Sequence, residues 1–243
     1  MRDKEENRTL VVVPAYNEEK NLRELIREIK GELPGVDIVI IDDGSHDKTA
    51  GMARELGAEV LELPYNLGIG GAVQTGYKFA LEMGYEVVIR VDGDGQHPPS
   101  EARKMAVPVL NGEADMAVGS RYLGDGDYEP QVLRKIGTGI FSALVSLMIK
   151  QKVTDATSGF AVLNRDAVEI LCHESPRDYP EVESLVILHK NMMRIKEVGV
   201  RMKKREGGRS SIRGWKQAYY MIKVMLSLLV RLGEEKELRE GQK

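Results

Sequence analysis

A chain of 243 residues is long enough to bury one sizeable core. With 42% hydrophobic and 30% charged residues it is globular rather than disordered, and 35 basic against 38 acidic residues leave a net charge of −3, which excludes bulk attraction to nucleic acid. The single cysteine, Cys172, excludes an internal disulfide and any cysteine-built metal cluster.

The opening MRDKEENRTL is charged where an export signal needs an apolar stretch, so no export is expected. LVVVPA (10–15) reads as a first strand. The following helical pattern carries Leu22, Leu25, Ile26 and Ile29 on one face before Gly31 and Pro34 break it. VDIVIIDDGS (36–45) is a second strand, HDKTAGMARELGA a second helix, and AEVLELP a third strand. A third helix is expected from Gly68 to Met83 and a fourth strand in YEVVIRVDGD (85–94). PPSEARKMAVPVL then starts a helix on its prolines, and ADMAVGSRY supplies a fifth strand. Strands alternating with helices at this spacing predict an α/β fold, a mostly parallel sheet covered on both faces.

Two later segments, IGTGIFSALVSLMI (136–149) and AYYMIKVMLSLLVRL (218–232), are strongly apolar. Both stop short of the roughly 18 uninterrupted apolar residues of a spanning helix and read as core or interfacial helices. The second is amphipathic, with Lys223 and Arg231 near one face and Trp215, Tyr219 and Tyr220 towards one end. A soluble or peripheral protein is expected, with the charged tail EEKELREGQK fraying.

The polar residues collect where the strands end. Tyr16, Asn17 and Glu18 follow the first strand, Asp42 and Asp43 the second, Asp92 and Asp94 the fourth, and Arg121 the fifth. In a parallel sheet those ends share one edge, the edge at which open α/β sheets bind ligands. GIGGAVQTG (68–76) fails the dinucleotide fingerprint, because Val73 stands where the third glycine belongs. A tight turn and a closely packed helix start are expected there instead.

Asp92-Gly93-Asp94-Gly95-Gln96 offers successive oxygen ligands on a glycine-rich turn. Hard donors in that pattern suit Mg²⁺ or Mn²⁺ bound partly through substrate phosphates. His97, followed by two prolines, reads as a structural corner. Of Asp42 and Asp43, one is expected to cap the next helix and the other to accept from a nucleobase or ribose. Arg121 suits a phosphate, which a guanidinium meets bidentately.

Five ordered stretches, VVVPAYNEEKNL, IVIIDDGSHDKT, NLGIGGAVQTGYKFAL, VIRVDGDGQHPPSE and VGSRY, resemble the glycosyltransferase family 2 enzymes of GT-A fold. The similarity is greatest to dolichyl- and polyprenyl-phosphate sugar synthases. It continues through DATSGFAVLNRDAV, YPEVESLVILHKNMMRIKEVGV and KREGGRSSI, so it spans residues 9 to 212. The resemblance implies a catalytic domain over 1–212 and a C-terminal amphipathic helix with its tail over 213–243. Pro14, Tyr16 and Glu18, with Asp42 or Asp43 and with Asp92 and Gly93, would meet the nucleotide. Asp92, Asp94 and Gln96 would hold the metal. Asp94, Arg121, Arg205 and Glu183 would serve catalysis; Arg134, Ser158, Arg209 and Ser210 would meet phosphate or acceptor. Family members often carry lysine after the serine of the R-x-x-G-x-S segment; Ser211 stands there in this chain, with Arg209 as the nearby cation.

The reaction so implied is inverting transfer of a hexose from GDP-mannose or a UDP-sugar to a polyprenyl or dolichyl phosphate. An anionic lipid phosphate needs no base, whereas a saccharide hydroxyl would need Glu181, Glu183 or Asp155. A saccharide acceptor, and a non-catalytic nucleotide-sugar-binding subunit, are the alternatives. The expected setting is the cytoplasmic face of a membrane, touched directly or through a small membrane protein, with a homo-oligomer possible.

Overall fold

The structure, a computed structural model, describes residues 8–123, 132–174 and 179–203, with backbone only over 132–137. The elements run β1 (Thr9–Ala15), α1 (Glu19–Glu32), β2 (Asp37–Asp42), α2 (Thr49–Glu55), β3 (Glu59–Glu62), α3 (Gly68–Glu82) and β4 (Val87–Arg90). They continue as α4 (Pro99–Leu110), β5 (Met116–Ser120), α5 (Val132–Ile149), β6 (Ala161–Asn164), α6 (Arg165–Glu174), α7 (Pro180–Lys190) and β7 (Ile195–Gly199). The segment read as a second amphipathic helix, with Trp215, lies outside the described residues, as do Arg205, Arg209 and Ser210.

Seven strands form one sheet in the order β3-β2-β1-β4-β6-β5-β7. All neighbouring pairs are parallel except the two made by β6, which runs antiparallel between β4 and β5. The expected mostly parallel α/β architecture is therefore present, with one reversed strand that the alternating pattern did not announce. β6 is only four residues long, AVLN, too short for a period to show.

Alternation along the strands makes two cores. Leu10, Val12, Val39 and Ile41 face one layer with Val73 and Tyr77 of α3, Val145 of α5, Val168 of α6 and Leu185 of α7. Val11, Val13, Ile38 and Ile40 face the other with Leu22, Leu25, Ile26 and Ile29 of α1, Ala53 of α2 and Met105 of α4. Both faces of the sheet are thus apolar, as a parallel sheet between helix layers requires. Close packing explains GIGGAVQTG: a Cβ on Gly76 would stand 2.3 Å from Val12 Cγ1.

α5 is a core helix on one face and carries exposed apolar residues on the other. Phe141, Val145, Met148 and Ile149 are buried in the core, while Ile140 and Leu147 are 43% and 70% exposed on the opposite face. No helix among the described residues is long and apolar enough to cross a membrane.

Candidate active site

The chain passes from β1 outwards through β2 to β3, then returns to place β4 on the other side of β1. At such a reversal the loops leaving two adjacent parallel strands diverge and open a crevice at their carboxyl ends. β1 and β4 stay close right up to that point. The Val91 amide donates to Val12 O at 3.1 Å and the Gly93 amide to Pro14 O at 3.1 Å. A Cβ on Gly93 would lie 3.0 Å from Pro14 O, so a side chain there would push the β4 turn a few tenths of an ångström off the end of β1.

On the β1 side, the loop is tied to the β2 loop by Asn17, whose amide donates to Ser45 Oγ and whose Oδ1 accepts from the His46 amide, both at 2.8 Å. Asn17 adopts φ 55°, in the left-handed region that asparagine tolerates. Tyr16 is exposed at the rim, its ring edge-on to His46 at 6.4 Å. Glu18 turns inwards, where its Oε2 accepts from Asn21 Nδ2 at 2.6 Å.

The two acids ending β2 divide their work differently from expectation. Neither is bonded to the start of α2, where Thr49 takes its amide contact from Asp47 Oδ1 at 2.9 Å. Asp43 reaches across to α3 and accepts from the Leu67 amide at 2.7 Å and the Gly68 amide at 2.9 Å. Burial pushes its carboxyl up, and those amides pull against the shift. Asp42 is buried beside it and accepts from the Ser45 amide at 3.3 Å.

On the β4 side, Asp92 and Asp94 flank the turn. Asp94 Oδ1 accepts from the Gln96 amide at 3.0 Å, and Gly95 supplies the positive φ of 73°. The side chain of Asp92 is 31% exposed towards the rim. Burial works to raise its carboxyl, yet the guanidinium charges of Arg90 and Arg121 help to hold it below the usual carboxylate range. His97 is internal: its Nδ1 accepts from the Asp92 amide at 3.1 Å and its ring stacks on Phe160 at 5.0 Å. Burial lowers the imidazole against the pull of Asp92 and Asp94, consistent with a neutral ring accepting through Nδ1.

Arg90 was not singled out by the sequence, yet it joins this cluster. It projects from the same face of the strand as Asp92 and is 3% exposed. Its Nη2 donates to Glu181 Oε1 at 2.5 Å and lies 3.4 Å from Asp92 Oδ1. Burial opposes the charge, but Glu181 and Asp92 more than offset it and raise Arg90 above the ordinary arginine value. A lone cation inside the run VVIRVD was the available signal. Gly159 closes the back of the cluster, where a Cβ would stand 2.8 Å from Asp92 Oδ2.

Arg121 is placed at the end of β5, but its fork is taken by Asp155. Nε donates to Oδ2 and Nη2 to Oδ1, both at 2.6 Å, and Nη2 also reaches Thr157 Oγ1 at 2.9 Å. Asp155 is fully buried and is held in place by Glu197, which accepts from its amide at 2.9 Å and from the Thr154 amide at 2.8 Å. Ser158 follows in the same loop, its Oγ accepting from the Phe160 amide at 3.4 Å. Glu183 sits half-buried in the first turn of α7, two residues after Glu181. Arg134 lies in the first turn of α5. The structure thus sets Pro14 against Gly93, keeps Asp92, Asp94 and Gln96 in one turn, ties Asp43 to α3, and pairs Arg121 with Asp155.

The donor set fits a hard divalent cation. Among the described residues no three of His, Cys, Asp and Glu close into a ready-made metal cage. Asp92 kept anionic, with Asp94 and Gln96 following in the same turn, would supply the one or two carboxylates that Mg²⁺-like ions use when phosphates and water complete the shell.

A mostly parallel sheet with one reversed strand and helices on both faces is the GT-A nucleotide-sugar transferase fold. The crystal structure of glucosyl-3-phosphoglycerate synthase from Mycobacterium tuberculosis, solved with Mn²⁺, UDP and glucosyl-3-phosphoglycerate, superimposes with a TM-score of 0.72. The match covers 93% of this chain and 80% of that one, at 19% identity, and shows a shared fold.

Residues 10–171 match the model for glycosyl transferase family 2, and the chain belongs to that family of glycosyltransferases. It is 36% identical over 194 residues to an uncharacterised protein of Methanocaldococcus jannaschii, covering 79% of each chain. It is 30% identical over 211 residues to a UDP-N-acetylglucosamine–dolichyl-phosphate N-acetylglucosaminyltransferase of Methanococcus voltae, covering 79% of this chain and 84% of that one. Over 169 residues it is 31% identical to a polyprenol monophosphomannose synthase of Mycolicibacterium smegmatis, covering 67% and 63% of the two chains.

Proposed function

We propose that this glycosyltransferase moves a hexose, with inversion, from GDP-mannose or a UDP-sugar to a polyprenyl or dolichyl phosphate at the cytoplasmic face of a membrane. The relatives from Methanococcus voltae and Mycolicibacterium smegmatis, whose names state lipid-phosphate acceptors, support the acceptor class. The observation that carries the reading is the commitment of the candidate bases. Asp155 is tied to Arg121 and Glu181 to Arg90, so two of the three carboxylates able to deprotonate a hydroxyl are already engaged inside the protein. A phosphate oxygen, anionic at neutral pH, attacks without a base.

In this reading Pro14, Tyr16 and Glu18 line the nucleoside side, and Asp42 is the acid that faces it, since Asp43 is occupied by α3. Asp92, Asp94 and Gln96 would hold Mg²⁺ or Mn²⁺, which when bound supplies positive charge against the departing diphosphate. Arg121, gripped by Asp155, contributes fixed positive charge near the crevice rather than a second fork. Arg134, Ser158, Arg205, Arg209 and Ser210 are assigned to the acceptor phosphate, with Glu183 at its edge.

Membrane contact falls to α5 and to the amphipathic segment within 213–243, which we assign as an anchor following the catalytic domain of 1–212. Ile140 and Leu147 expose one apolar stripe of α5. From Pro130 to Thr154 the sequence has no acidic residue but includes Arg134, Lys135, Lys150 and Lys152. An apolar stripe in cationic surroundings suits an anionic lipid surface.

The test supplies radiolabelled GDP-mannose, UDP-glucose or UDP-N-acetylglucosamine to the full chain on vesicles containing polyprenyl phosphate. Label is expected in the organic extract, lost with EDTA or Asp94→Ala and restored to the wild type by Mn²⁺. Label confined to a water-soluble glycan would overturn the acceptor; turnover indifferent to EDTA would overturn the metal.

A further inference from the structure

A fully buried guanidinium on a central strand survives only if carboxylates surround it, because an uncompensated charge there is far costlier than one at the surface. Arg90 has two such partners, Asp92 in the turn that follows its own strand and Glu181 in the first turn of α7. They do not share it equally. The contact to Glu181 is a short charge-assisted hydrogen bond, whereas that to Asp92 is at the outer limit of one. Gly159 walls the same nitrogen, since a Cβ there would lie 3.0 Å from Nη2. The guanidinium is therefore boxed in, and Glu181 decides which way its charge is directed. Asp92 meanwhile keeps its carboxylate partly exposed at the crevice.

We propose that Glu181 is a positioning residue: by taking the guanidinium of Arg90, it leaves the carboxylate of Asp92 available to hold a divalent cation. The inference rests on the reading that Asp92 binds that cation. Without the Glu181 charge, the nearest anion to Arg90 is Asp92. A full Arg90–Asp92 pair then competes with the metal, and even without movement the site gains one net positive charge beside a doubly charged ion.

The test follows Mn²⁺ binding directly, by loss of the free aquo-ion's paramagnetic resonance signal, with the full chain alone and then with UDP or GDP. Glu181→Gln should weaken Mn²⁺ binding by about tenfold, the scale of coupling within one charge network. Removing the competitor as well, in Arg90→Gln/Glu181→Gln, should restore affinity to within about threefold of the wild type. A residue that merely tethers α7 gives no such rescue. Should Glu181→Gln fail to fold by circular dichroism, Arg90→Gln alone carries the test, and it should bind Mn²⁺ at least as tightly as the wild type. Unchanged affinity in Glu181→Gln, absence of rescue, or weaker binding in Arg90→Gln overturns the positioning role. A wild type that takes up no Mn²⁺ in any condition overturns the metal reading beneath it.

Discussion

Replacing Gly159 by alanine adds one methyl group at the back of the candidate metal site. Its Cβ would stand 2.8 Å and 3.2 Å from the two oxygens of Asp92 and 3.0 Å from Arg90 Nη2. Ordinary contact begins at about 3.5 Å, so the Asp92 carboxylate has to retreat by about 0.7 Å. The crowded atoms are ends of side chains rather than backbone, so the fold absorbs the change for about 1 kcal/mol, a melting shift of about 3 °C. The site absorbs it less well. Functional groups are held to within about 0.5 Å, and a misplacement of about 1 Å costs on the order of a hundredfold in rate. We therefore expect kcat/KM to fall about thirtyfold to a hundredfold, near 2 to 3 kcal/mol of transition-state stabilisation. Initial rates of sugar transfer to polyprenyl phosphate, measured beside thermal melts of the same preparations, separate the two effects. A Gly159→Ala enzyme with wild-type rates and a wild-type melt would refute the packing of Asp92 against Gly159.

Three further outcomes are expected. Asp155→Ala leaves Arg121 facing an empty buried pocket, which should cost about 3–5 kcal/mol and lower the melting temperature by roughly 10 °C; a shift under about 2 °C in a thermal melt would show that the pair is not holding the loop. Leu147→Glu places a charge on a position 70% exposed, so stability should hold within about 0.5 kcal/mol while co-sedimentation with anionic vesicles drops; unchanged sedimentation removes α5 from the membrane contact. Asp115, hydrogen-bonded by the Arg194 side chain, has its carboxyl lowered against burial. Its unfolded form binds a proton at higher pH than its folded form. The stability it contributes is therefore complete above the unfolded carboxylate value and lost as pH falls through the lower folded one. Asp115→Asn should flatten the loss of stability below about pH 4 in acid melts, and an unaltered acid limb would contradict the shift.

Local pattern in the chain determined a great deal. Apolar residues at Leu22, Leu25, Ile26 and Ile29 wrote the buried face of α1, and continuous apolar runs wrote β1, β2 and β4, because burial imposes the period of the element. Since parallel strands end on one edge, the order of the strands alone puts the acids after β2 and β4 on a common rim. What period cannot carry is partnership between distant segments. Arg90 and Glu181 are 91 residues apart, and Arg121 and Asp155 are 34 apart. Which acid meets which arginine follows from the insertion of β6 between β4 and β5, and from the placement of α7, whose first turn brings Glu181 to Arg90. Asp43 shows the same limit, since its amide partners at Leu67 and Gly68 lie beyond the next helix and strand. The sequence by itself thus determined the elements and the edge where charge collects. Only the tertiary structure decided which of those charges neutralise one another inside and which stay partly exposed at that edge, because that depends on strand order and distance, which leave no period in the chain.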